Sequence, residues 1–177
     1  AAMINEQAIN QATNPSGGTG NFTYLALGDS YTIGEAVKQT ESFPYQLQSL
    51  LKNQNISVAY PKIIATTGWT TAELQAAIKK ENLTGTYSFV TLLIGVNNQY
   101  QGKPVKEFEP SFLSLLKSAI TLTGNRPKRV FVISIPDWGI TPFASGHDRK
   151  EIANEIDAYN LACEKNAKGE GANFINI

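Results

Sequence analysis

The chain has 177 residues, a length that fits one domain with a substantial core. Fifteen basic side chains balance fifteen acidic ones, so composition gives no electrostatic case for a nucleic-acid or anionic-membrane partner. Apolar runs are short and interrupted and no charged-then-apolar signal segment opens the chain, so the expectation is a soluble protein, cytoplasmic or exported, with no membrane span.

Residues 1–21 are rich in Asn, Gln, Ala and Thr and run through Asn14-Pro15-Ser16-Gly17-Gly18-Thr19-Gly20. They read as a flexible lead-in, and the folded domain is expected over residues 22–177. Phe22 to Leu27 is too short and too apolar for a typical helix and reads as a buried strand stopped by Gly28. A parallel strand ending at a glycine turn delivers the next polar side chains to the carboxyl edge of the sheet, where open α/β folds place their ligands. Ser30 stands there.

Farther along, Ser42 is positioned to cap a helix whose first turn tolerates Pro44, with Leu47, Leu50 and Leu51 on one face. Ile56 to Ala65 reads as a second strand, and Pro61 within it argues for a sheet edge. A loop centred on Gly68 follows, and Thr70 and Glu73 are spaced as a capping box ahead of Leu74, Ala77 and Ile78. Phe89 to Ile94 has the continuous apolar character of a central parallel strand, ended by Gly95. Phe108, Phe112, Leu115, Leu116 and Ile120 recur at helical spacing before Gly124.

Arg129 to Ile135 is the fourth strand, with Pro136-Asp137-Trp138-Gly139 as its exit loop. Asp148 and Glu151 are spaced to open a last helix, which carries Ile152, Ile156, Tyr159 and Cys163 on one face. The single Cys163 precludes an internal disulfide, leaves the compartment open and reads as a small buried residue. Asn173 to Ile177 has the composition of a fifth strand. Strands and helices alternate throughout, so the pattern predicts a three-layer α/β domain with a parallel sheet.

Acyl transfer needs a nucleophile, a base and hydrogen-bond donors aimed at the oxygen that becomes negative. Ser30 is the candidate nucleophile, and its own N–H is a candidate donor. Gly68 offers a second N–H with no side chain to block approach, and Asn97 offers a neutral amide donor at the end of the third strand. Each residue taken alone also fits an ordinary turn or loop. Placed at the ends of strands one, two and three, they converge on one sheet edge.

Asp29 is adjacent to Ser30 and reads as a turn-holding residue. Tyr31, Trp69, Asn98 and Trp138, with Phe143, are candidates for the walls of a pocket. The first strand is not followed by GxGxxG or GxxxxGK[ST], which weakens a nucleotide-binding or oxidoreductase reading.

Gly28-Asp29-Ser30, Gly68 and Gly95-Val96-Asn97-Asn98, in that order, resemble the SGNH-hydrolase (GDSL-type esterase and lipase) family, and the resemblance runs from about Phe22 to the last residue. Tyr31 and Asn98 depart from the usual GDSL and GxND at the variable ends of those blocks. The resemblance implies a flavodoxin-like fold with a five-stranded parallel sheet flanked by helices. It further implies an acyl-serine mechanism without metal or organic cofactor, acting on a small-molecule ester of a small or medium acyl group.

It also implies a base: the family carries Asp and His in a DxxH motif after the fifth strand, and this sequence contains no DxxH. His147, the only histidine, reads as a helix-flanking surface residue and is the alternative base. The expectation is that the DxxH segment lies beyond Ile177, and that the last strand has an exposed flank able to pair with another chain. The rival reading is a non-catalytic module of the same fold that binds carbohydrate or lipid, or an inactive fragment.

Overall fold

The computed structural model of the protein describes residues 21–177. All of the expected lead-in except Asn21 lies outside the described residues. The elements are β1 (Tyr24–Gly28), α1 (Ser30–Ile33), α2 (Phe43–Asn53), β2 (Lys62–Ala65), α3 (Thr71–Glu81), β3 (Phe89–Leu93), α4 (Val96–Tyr100), α5 (Val105–Leu122), β4 (Val130–Ile133), α6 (Arg149–Gly169) and β5 (Asn173–Ile175). The five strands form one parallel sheet in the order β2-β1-β3-β4-β5. This is the flavodoxin-like order, with the serine strand β1 inside the sheet and β2 at an edge, as Pro61 indicated.

Side chains alternate across the sheet because a strand has a period of two. Leu25, Leu27, Val90, Leu92, Val130 and Val132 point to one face, where they pack with Leu74 and Ile78 of α3, Phe108 to Leu116 of α5 and Ile152 to Cys163 of α6. Tyr24 and Ala26 point to the other face and meet Leu47 and Leu51 of α2. Among the described residues, the second face therefore has one covering helix against three on the first. Along β3, β4 and β5 it keeps an open apolar groove of about 880 Å³, bordered by Phe89, Phe131, Ile133 and Ile175.

That asymmetry corrects one residue of the expected face of α2: Leu47 and Leu51 pack towards the sheet, and Leu50 does not. The fully buried residues of α2 are Pro44, Tyr45 and Gln48, while Leu50 borders the groove at 63 % exposed. Ser42 precedes α2 but makes no side-chain cap; its hydroxyl donates to the Gln39 carbonyl at 2.7 Å, closing the preceding turn. β2 begins only after Pro61, which cannot donate to a ladder. The upstream part of the expected strand contributes one isolated bridge, from Val58 to Phe22.

The two predicted acidic caps form. Thr70 N–H donates to Glu73 Oε2 at 2.8 Å at the start of α3, and Asp148 Oδ1 accepts from Lys150 and Glu151 N–H at 3.0 and 3.1 Å at the start of α6. Cys163 is buried, and burial pushes its thiol above the ordinary range. No helix among the described residues is long and apolar enough to cross a membrane.

Candidate active site

The register of the sheet decides which loops meet. Gly28, the last residue of β1, pairs with Ala65 at the end of β2 and with Leu93 at the end of β3. Three chain segments thus leave the sheet side by side at its carboxyl edge: Asp29-Ser30, Thr66-Thr67-Gly68 and Ile94 to Asn97. Ser30, Gly68 and Asn97 all line one cavity of about 540 Å³.

Ser30 opens α1, a single turn built by its neighbours. Asp29 is the N-cap, and its Oδ1 accepts the Tyr31 N–H at 3.1 Å. The Ser30 carbonyl accepts the N–H groups of Gly34 and Glu35 at 3.1 and 3.0 Å, so the backbone on both sides of the hydroxyl is fixed. Asp29 is fully buried, its Oδ2 has no partner among the described residues, and it points away from solvent rather than into the cavity lining. Burial raises its carboxyl to about 7, against the smaller opposing effect of the Tyr31 N–H.

Gly68 has φ +85°, a conformation that side-chain-bearing residues rarely adopt, and nothing lies within 4 Å of where a Cβ would stand. Its loop is tied to α4 by tandem amides. Asn97 Nδ2 donates to the Trp69 carbonyl at 2.9 Å. Asn98 Oδ1 accepts the Thr71 N–H at 3.1 Å, and its Nδ2 donates to Thr71 Oγ1 at 3.0 Å. One Asn97 amide hydrogen is committed to this tie, which leaves the other for a ligand. Gly95 sets the entry to α4 at φ +131°, where a Cβ would come within 2.8 Å of Ile135 and Phe108 side chains.

A second wall comes from α4 and the turns after β4. Tyr100, Trp138 and Phe143 border the cavity, with ring centroids 5.5, 5.9 and 5.7 Å apart in pairs. Trp138 is held from behind: its Nε1 donates to Gln99 Oε1 at 2.8 Å, and Gln99 Nε2 donates to Glu155 Oε2 on α6 at 2.6 Å.

The family model for the GDSL-like lipase/acylhydrolase family matches residues 26–177. The chain belongs to this family. GDSL-type lipases and acylhydrolases act on ester bonds, and this chain is an ester hydrolase by membership.

No curated protein matches the chain, whereas solved structures share its fold. An acetylxylan esterase from Geobacillus stearothermophilus is 15% identical, with a TM-score of 0.70 over 88% of this chain and 76% of that one. A phospholipase A1 from Streptomyces albidoflavus is 17% identical, with a TM-score of 0.67 over 86% and 78%. An SGNH-hydrolase family esterase is 19% identical, with a TM-score of 0.66 over 87% and 75%.

The candidate pocket residues fall into two groups. Tyr31, Trp138 and Phe143 border the cavity; Trp69 and Asn98 do not. Trp69 contributes its carbonyl to Asn97 while its ring packs on the main core. Asn98 is buried with its amide turned onto Thr71. His147 is exposed, meets the Trp138 ring edge to face at 5.3 Å between ring centroids and is absent from the lining.

Sequence reading missed Gly34, Glu35, Val37, Glu41 and Phe43, which form the near wall. Their proximity to Ser30 in the chain was the available clue. It also missed Gln99, whose position two residues after Asn97 gave no hint of a contact with Trp138. No group of three His, Cys, Asp or Glu side chains among the described residues is placed to hold a metal.

Proposed function

We propose that the chain is a serine esterase of the SGNH type that cleaves carboxylic esters of small or medium acyl groups through an acyl-Ser30 intermediate. The observation that carries this reading is the delivery of Ser30, Gly68 and Asn97 by three adjacent strand ends to one cavity. The Ser30 hydroxyl attacks the ester carbonyl carbon and gives up its proton to a base. The carbonyl oxygen, now negative, receives the Ser30 N–H, the Gly68 N–H and the free Asn97 amide hydrogen. Collapse of the tetrahedral species breaks the bond to the alcohol oxygen, which leaves protonated. Water then attacks the acyl-serine, and the carboxylic acid departs as Ser30 regains its proton.

The base we assign to an imidazole oriented by an aspartate, supplied by residues after Ile177. β5 runs parallel to β1, so a chain continuing past it emerges at the edge that carries Ser30. Treatment with a fluorophosphonate followed by intact-mass measurement tests the assignment. One adduct on the full natural protein and none on its Ser30→Ala variant is the expected result. Absence of any adduct on the full natural protein would transfer support to the rival reading, a binding module without turnover. That rival draws on one observation, the lack of a histidine among the residues lining the cavity.

A further inference from the structure

Four hydroxyl and indole donors of the cavity's outer half are already committed inside the protein. Thr67 Oγ1 donates to the Glu35 carboxylate, Ser42 Oγ to the Gln39 carbonyl at 2.7 Å, Thr141 Oγ1 to the Trp138 carbonyl at 2.6 Å and Trp138 Nε1 to Gln99 at 2.8 Å. What remains for a ligand is acceptor oxygen, aromatic ring and the phenol hydroxyls of Tyr31 and Tyr100. Glu35 and Glu41 are the charged residues of the lining, and no lysine, arginine or histidine joins them. Neither carboxylate is in an ion pair among the described residues. Glu41 Oε2 accepts only the Lys38 backbone N–H, at 3.1 Å.

From this wall, which carries two carboxylates and no cationic side chain, we infer that the cavity selects esters bearing a positive charge, an ammonium group on the part of the substrate remote from the scissile carbonyl. The inference rests on reading the cavity as the ester site. A compact cation gains from the two carboxylates and from the faces of Tyr100, Trp138 and Phe143, which attract it through their ring quadrupoles. A substrate carrying a carboxylate or phosphate meets like charge and finds no cationic partner, so it is disfavoured by the same groups. A neutral ester gains the apolar contact alone.

Equilibrium binding separates this inference from the hydrolytic one. The two tryptophans of the chain, Trp69 and Trp138, both belong to the site region, so intrinsic fluorescence reports occupancy. Ser30→Ala, which cannot form an acyl-enzyme, is titrated with butyrylcholine, with 3,3-dimethylbutyl butyrate of the same shape but no charge, and with the anionic butyrate ester of 4-hydroxybutanoate.

The expected result is binding of the cation about tenfold tighter than the neutral ester at low salt, with the anion weakest. Adding Glu35→Gln and Glu41→Gln, or raising salt to about 0.5 M, collapses the preference towards unity. A neutral ester that binds as tightly as the cation overturns the inference. So does a preference that survives both glutamate replacements, or the absence of a saturable change with all three esters. Charge selectivity without fluorophosphonate labelling of the full natural protein sinks the hydrolase and spares this proposal; labelling without selectivity does the reverse.

Discussion

The inner wall of the cavity is made by residues just past three strand ends, whereas the outer wall is made by short turns and by helix faces that lean on one another. Ser30, Gly68 and Asn97 inherit their positions from the sheet, where a ladder fixes register residue by residue. Tyr100, Trp138 and Phe143 inherit theirs from side-chain contacts and one buried amide bridge. The difference teaches that chemistry and selectivity here have separate structural sources. Damage to the inner wall is therefore expected to alter rate or folding, and damage to the outer wall to alter affinity.

The largest expected effect lies at the root of the inner wall. Asp29 titrates near 3.8 in an unstructured chain and is raised to about 7 by burial when folded. Between those values the unfolded chain has lost this proton and the folded chain keeps it. The folded state then binds more protons, so stability falls as pH rises, by roughly 4 kcal/mol at most across the window, and the full contribution is present below about pH 4. Asp29→Asn keeps an oxygen for the Tyr31 N–H and never ionises. Urea denaturation of the two proteins should give matching stability near pH 4 and a clear advantage to the asparagine variant near pH 7.5. Parallel pH profiles would show that Asp29 does not carry the slope.

Next in size is Asn97→Ala, which removes both the proposed oxyanion donor and the tie to the Trp69 carbonyl. Loss of one such donor typically lowers turnover about 10²- to 10³-fold, about 3 to 4 kcal/mol of transition-state stabilisation. Because the rate term dominates, kcat for a butyrate ester should fall while KM changes little. A drop confined to KM would move Asn97 from the reacting centre to substrate positioning.

The same division explains what could be read from the residues. Strand ends are marked in sequence by Gly28 and Gly95 after apolar runs, so the sheet order and the convergence of Ser30, Gly68 and Asn97 followed from pattern and resemblance. Asn98 and Trp69 sit beside true lining residues, yet a one-residue step on a helix or loop turns a side chain to another direction. Hence Asn98 clamps Thr71 and Trp69 joins the core. Leu50 follows helical periodicity and still lies exposed, because periodicity reports a face without saying how much of the sheet another element covers. Glu35 and Glu41 reach the cavity through the local path of the α1–α2 connection, which no repeat or cap encodes.

The smallest expected effect probes the outer wall through Gln99. Its side chain is nearly fully buried and spans Trp138 and Glu155, so it touches no reacting atom and acts as a positioning residue. Gln99→Met preserves length and apolar packing but leaves the buried Trp138 indole N–H without its acceptor, which loosens the ring against the cavity. In saturation kinetics of fluorophosphonate labelling, the half-saturating concentration should rise about fivefold while the limiting rate stays within about twofold. Tryptophan anisotropy should fall alongside, since Trp138 gains motion that a purely catalytic change would not produce. A fall in the limiting rate with unchanged anisotropy would place Gln99 with the inner wall, and the boundary between rate and affinity would then run behind Trp138 rather than in front of it.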